Sequence, residues 1–150
     1  MIAGFEDAFP ALRSEGFEET SPPSQKYNCI AWAAGSASQW WWPYQHPAYY
    51  WPEGLTREVT LDAFLRAFVS LGFEPCPTGE LEAGFEKVAI YALRGKPTLA
   101  ARQLADGGWT SKLGKEVDIT HTLGGLEGPV YGQVAAYLRR PLRGAPTQVA

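Results

Sequence analysis

At 150 residues, with 45% hydrophobic and 19% charged side chains, the chain has room for one domain with a sizeable core and needs no disulfide staples to fold. A net charge of −3 supplies no basic field, which excludes nucleic acid as a partner, and two cysteines and two histidines scattered along the chain exclude a clustered zinc site, so no metal or cofactor is expected. The start, MIAGFEDAF, carries Glu6 and Asp7 where a signal peptide would be basic, and no apolar run reaches the length of a membrane span; a cytoplasmic protein without a membrane partner is expected.

In chain order, a short helix is predicted from Glu6 to Ser14, interrupted by Pro10 and ending near Gly16. SPPSQ is a loop. Asn28 then suits an N-cap, and Ile30, Ala33, Ala34 and Ala37 follow at helical spacing, so Cys29 stands at the head of a second helix. From Trp40 to Pro52, three prolines in thirteen residues predict a long aromatic loop. The clearest helix follows, with Thr60 as cap, an apolar stripe of Leu61, Phe64, Leu65, Phe68 and Val69, and Gly72 past its end. Beyond it the pattern turns to strands: EKVAIYAL, then TLAARQL after the break RGKP, then GWTSKL after ADG, then VYGQVAAYLRR. Helices first and a strand meander afterwards predict an α+β domain, 1–150, with an antiparallel sheet packed on the early helices and residues 142–150 as a tail. The basic cluster Arg139, Arg140 and Arg143 reads as a solvated strand end.

Cys29 has two readings. A thiol at a helix head feels the positive end of the dipole, which lowers its pKa and favours the nucleophilic thiolate, and nearby N–H groups form half of an oxyanion hole. The alternative is a buried structural thiol in an alanine-rich helix. Cys76, between Pro75 and Pro77, reads as structural.

The stretches YNCIAWAAG, the WWWP…YWP run, FEKVAIYA, ARQLADGGWTSKLG, DITH, LEG and YGQVAAYLRRP together resemble a small bacterial domain of unknown function over about residues 27–141. By segment order that domain is similar to the papain-like cysteine hydrolases, near their NlpC and CHAP branches. The resemblance implies Cys29 as nucleophile of amide cleavage and a base histidine on the second meander strand, facing it. Leu99 occupies that slot. A leucine moves no proton, so general acid–base help of about 10²–10⁴ is lost. The copy is then a pseudoenzyme, an altered variant, or one that uses another group. His121 in DITH is the alternative base, read otherwise as a satisfied strand-end side chain; His46 in the aromatic loop is a lid or a surface residue. Gln25 resembles in role the oxyanion-hole glutamine, at a shorter spacing than that pattern. Gln103, Thr110 and Ser111 are candidates to orient a base.

Trp40, Trp41, Trp42, Tyr44, His46, Tyr49, Tyr50 and Trp51, with Trp109 on the third strand, are the candidate binding residues. The loop rings either fold back as a minor core or form a recognition wall. Three functions follow as expectations: a papain-like hydrolase, inactive or impaired in this form; a non-catalytic binding or regulatory domain using residues 40–51; and a toxin- or immunity-like conflict module. A peptide, a peptidoglycan stem or another protein is the expected partner.

Overall fold

The computed structural model describes residues 9–142. The N-terminal helix expected from Glu6 falls partly outside these residues. Within them α1 (Pro10–Glu15) begins at Pro10 instead of being interrupted by it, because the missing N–H of a first-turn proline removes no helical bond. Gly16, at φ 88°, turns the chain into β1 (Phe17–Ser21). The Cys29 helix, α2 (Cys29–Ala33), is shorter than its alanine spacing predicts and stops before Gly35, whose φ is 92°. Asn28 caps it as expected, its Oδ1 accepting from the Ala31 N–H at 3.1 Å.

The aromatic loop is not wholly irregular. Trp40–Trp41 (β2) and Tyr49–Tyr50 (β3) pair in parallel as a two-stranded ribbon, with the prolines confined to the connection and the exit. Next comes α3 (Leu61–Val69), capped by Thr60. Ala63, Phe64, Ala67 and Phe68 are its buried face, and Val69, expected on that stripe, is exposed.

The remaining strands are β4 (Glu74–Cys76), β5 (Phe85–Leu93), β6 (Lys96–Gln103), β7 (Trp109–Lys112), β8 (Asp118–His121) and β9 (Gln133–Pro141), with the short helix α4 (Leu123–Leu126) after β8. With β1 they form a seven-stranded antiparallel sheet in the order β1-β8-β7-β6-β5-β9-β4. The fold is α+β with a dominant sheet; β5, β6 and β7 are the first three predicted strands, β8 is an additional strand that continues the meander, and the fourth predicted strand, β9, pairs back with β5. The expected break RGKP contracts to a two-residue turn: Arg94 and Gly95 both have positive φ (54° and 80°), the geometry that matches strand twist. Hence β6 starts at Lys96, earlier than Thr98, and accommodates Pro97 at its second position, next to the register shift at Thr98.

The basic cluster is not a solvated strand end. Because β9 lies between β5 and β4, Arg139 meets Glu74 and Glu82, and Arg140 meets Glu86 at 2.8 Å while its guanidinium covers the Phe73 ring. Arg143 lies outside the described residues.

The two sheet faces carry different helices. Val88 and its register partner Arg102 share a face with Thr110. On that face α2 is seated: the Trp32 indole donates to Thr110 Oγ1 at 3.1 Å, and the Arg102 guanidinium stacks over the Trp32 ring at 4.3 Å. Tyr91, three residues past Val88, takes the other face, where its hydroxyl donates to the Leu123 carbonyl of α4 at 2.7 Å. The core runs through both layers, with Leu12, Ile30, Phe64, Tyr91, Leu99, Ile119, Leu126 and Leu138 fully buried.

Candidate functional site at Cys29

Asn28 does more than cap α2. Its Oδ1 also accepts from the Trp41 N–H at 3.1 Å, and its Nδ2 donates to the Trp41 carbonyl at 2.7 Å. One side chain therefore fixes the helix head and the aromatic ribbon to each other. The result is a cavity of about 260 Å³ walled by Asn28, Cys29, Trp40, Trp42, Tyr44, Tyr49, Thr98, Gly114 and Tyr131. Two features that the sequence left separate, the thiol and the aromatic stretch, meet there.

The aromatic stretch divides between two jobs. Trp40, Trp42, Tyr44 and Tyr49 line the cavity, with Tyr44 edge-on to Trp42 and the exposed His46 ring against Tyr49 at 5.0 Å. Trp41 and Trp51 instead belong to the core, Trp51 lying 5.2 Å from Phe64 between ring centres. Tyr50 packs on Trp41 and faces a separate surface recess, which Gln25 also lines. Gln25 thus stands apart from the thiol cavity, on the far side of the Trp40–Tyr49 pair that borders both.

The Cys29 thiol lies against β6. It donates weakly to the Thr98 carbonyl at 4.0 Å. Sequence reasoning expects the helix head to lower its pKa; burial instead pushes it up, to about 11, and the favourable N–H groups of Ala100, Ile30 and Cys29 and the charge of Lys112 only partly offset this. Desolvation wins because the sulfur is buried while α2 is barely more than one turn long, too short to build a strong dipole.

Residue 99 is not where the resemblance puts a base. The backbone of β6 flanks the sulfur, but Leu99 is the register partner of Tyr91 and shares its face, away from α2; Thr98 takes the place on the cavity wall. A register shift in β5–β6 falls at Thr98.

His121 belongs to the other end of the sheet. It pairs with Trp109, which pairs with Gln103, five residues along β6 from Thr98, or about 16 Å. The carbonyl of Thr122 can only accept, so His121 Nδ1 carries the proton and donates to it at 2.6 Å, leaving Nε2 to accept from the Ser111 hydroxyl at 2.8 Å. Burial holds its pKa down, near 4. The ring is satisfied on both sides and faces a different hollow, shared with Trp109, Asp106 and Glu18. Thr110 is held by Trp32 and Gln103 Nε2 by the Gly79 carbonyl, so neither orients a base.

Thr98, Gly114 and Tyr131 are the wall residues that sequence reasoning missed. Thr98 donates through its hydroxyl to the Tyr131 carbonyl at 2.5 Å, and Gly132 lets that segment pass against β5, since a Cβ there would stand 1.9 Å from the Ala92 carbonyl oxygen. Gly114 lies in WTSKLG and Tyr131 in YGQVAAYLRRP, two of the stretches that carry the family resemblance, and that was the available signal.

A family model, that of a domain of unknown function, DUF7689, matches residues 18–139. The chain belongs to the DUF7689 family. The matched span runs from β1 to β9 and contains every wall residue of the cavity. No curated protein and no solved structure is significantly similar to the chain. Among the described residues there is no group of three or more His, Cys, Asp or Glu side chains able to hold a metal ion, and no helix long and apolar enough to cross a membrane.

Proposed function

We propose that this chain is a papain-like thiol hydrolase domain in a catalytically silent form, which uses the Cys29 cavity to bind peptide segments bearing an apolar or aromatic side chain. The observation that carries this reading is the composition of the cavity wall. It joins a cysteine at a helix head to five aromatic rings, and neither of the chain's two histidines lines it.

A cysteine-headed helix packed on an antiparallel meander, with β6 beside the sulfur, supports the papain-like part of the reading. Silence follows from proton chemistry. At neutral pH a thiol with a pKa near 11 is protonated, and no side chain on the wall accepts its proton efficiently or returns one to a leaving amine. Binding follows from shape and polarity: about 260 Å³ holds one or two side chains, and tryptophan and tyrosine offer flat apolar surface with a polar edge at little entropic cost.

The test is a peptide library presented to the unaltered chain, read by tryptophan fluorescence for binding and by mass spectrometry for cleavage. Peptides with aromatic side chains bind and leave uncut, and iodoacetamide labels Cys29 with a midpoint far above the ordinary thiol value of about 8.5. Cleavage that disappears in Cys29→Ala refutes the silence; a library without a binder refutes the peptide role.

A further inference from the structure

Three arginines among the described residues lie over aromatic rings, and two of them are fully employed. Arg139 covers Phe85 and donates to Glu74 and Glu82; Arg140 covers Phe73 and donates to Glu86 and to the Leu71 carbonyl. The third, Arg102 on β6, lies over the Trp32 ring at 4.3 Å, and no acceptor among the described residues meets its guanidinium. A ring contact engages the face of the planar guanidinium and leaves the donors along its edge in need of acceptors. Burial works against the charge and pushes the Arg102 pKa down, while Glu86 and Asp118 favour the cation from outside ion-pair contact.

Arg102 is half-buried and lines a cavity of about 700 Å³ where β5 begins and β6 ends, a volume that suits a small organic molecule. The wall is apolar through Leu81, Phe85, Leu104 and Leu142, and Leu81 and Leu142 are exposed to solvent. Exposed leucines beside a hollow gain from any apolar body that covers them. The wall also holds Glu82 and Glu86, and both are already paired: Glu82 with Lys87 at 3.5 Å and with Arg139, Glu86 with Arg140. The wall charge left without an opposite charge in contact is therefore Arg102. One free guanidinium matches one negative charge, and its fork of donors matches the two oxygens of a carboxylate. A phosphate monoester would bring a second negative charge toward Glu82 and Glu86.

We propose that the Arg102 cavity binds small monocarboxylates with an apolar body, the guanidinium holding the carboxylate and the leucine wall covering the body. Trp32 presents the arginine: its indole N–H is tied to Thr110 Oγ1 at 3.1 Å, which fixes the ring beneath the guanidinium. A cation set in place before the ligand arrives spends little entropy on binding. This cavity shares no wall residue with the Cys29 cavity, so the proposal stands apart from the peptide role.

The experiment measures binding of octanoate to the unaltered chain by calorimetry, beside octanol, octylammonium and octyl phosphate. Octanoate binds about tenfold or more tightly than each of the others, as a charge-assisted hydrogen bond provides. Arg102→Met removes the charge and keeps an apolar stem over Trp32; it brings octanoate down to the level of octanol, and Arg102→Lys restores part of the preference. Ala105→Trp fills the cavity from an exposed wall position, away from the guanidinium, and weakens octanoate and octanol alike. Should Arg102→Met fail to fold, the ranking of the four ligands on the unaltered chain and the Ala105→Trp result decide. Failure of octanoate to bind, or octanol binding as tightly, overturns the proposal. So does tighter binding of octyl phosphate, which makes the site one for phosphates, and so does octanoate affinity unchanged in Arg102→Met or Ala105→Trp, which puts the ligand elsewhere.

Discussion

The two ends of the meander each carry a residue capable of nucleophilic or acid–base chemistry, and they are built differently. At one end His121 spends both ring nitrogens on fixed partners, Ser111 and the Thr122 carbonyl, inside regular strand pairing. At the other, β6 and β7 pair only through Arg102 and Gln103, and the Cys29 sulfur meets backbone groups alone, a long contact to the Thr98 carbonyl and the N–H groups of Ala100 and Ile30, with a cavity beside it. Both groups are buried and both are held in their neutral forms by desolvation. What separates them is unused bonding capacity next to open space. A satisfied histidine stabilises a fold; a sulfur with little else to bond, beside a space that admits a ligand, is available for recognition or chemistry.

The comparison breaks most visibly at Trp51. If half of the aromatic stretch is core, Trp51→Ala removes an indole that is 2% exposed and packed on Phe64, and costs about 3–5 kcal/mol in urea unfolding. A loss below about 1 kcal/mol would return Trp51 to the binding wall. The next largest effect is at the histidine end. His121 titrates near 4 in the folded chain and near 6.5 unfolded, so between those values the unfolded state binds the extra proton. Its contribution is therefore complete above about pH 6.5 and is lost as the pH falls toward 4, by roughly 3 kcal/mol. Unfolding free energies measured from pH 7 to 4 should show that slope in the native chain and lose it in His121→Gln. An identical slope in both would mean that His121 is exposed to solvent in the folded state.

How much of this was legible beforehand depends on the range of the interaction. Local chemistry was readable: Asn28 and Thr60 cap where a short polar acceptor precedes an apolar period, and the four strands announced themselves by β-branched and aromatic residues. Elements whose identity comes from a distant partner were not. β1 reads FEETS and exists because β8 offers it an edge; β4 contains Pro75 and exists because β9 pairs with it. For the site, Cys29 was visible as a residue type in a position. Its raised pKa was not, since the burial that raises it comes from packing set only by the fold. Side-chain facing on β6 was equally hidden. The slot at residue 99 was counted along the sequence, whereas which side of the sheet it serves follows from the register with Tyr91.

The sharpest test within one stretch is also the smallest in stability. Trp40 and Trp41 are neighbours on β2, so their side chains leave on opposite sides, Trp41 into the core and Trp40 onto the cavity wall. Trp40 is only half-buried, and its role needs ring surface toward the cavity, not a core contact. Trp40→Ala should therefore cost less than about 1.5 kcal/mol of unfolding free energy, within the range of partly exposed substitutions. The same variant should lose about tenfold or more in affinity for aromatic peptides, because a ring stacked in a cavity is the kind of contact that dominates binding. It should also speed labelling of Cys29, since the wall that shields the sulfur is thinner by an indole. Loss of stability comparable to Trp51→Ala, with labelling unchanged, would make the ribbon a single hydrophobic cluster and remove the division between core and wall on which the binding role depends.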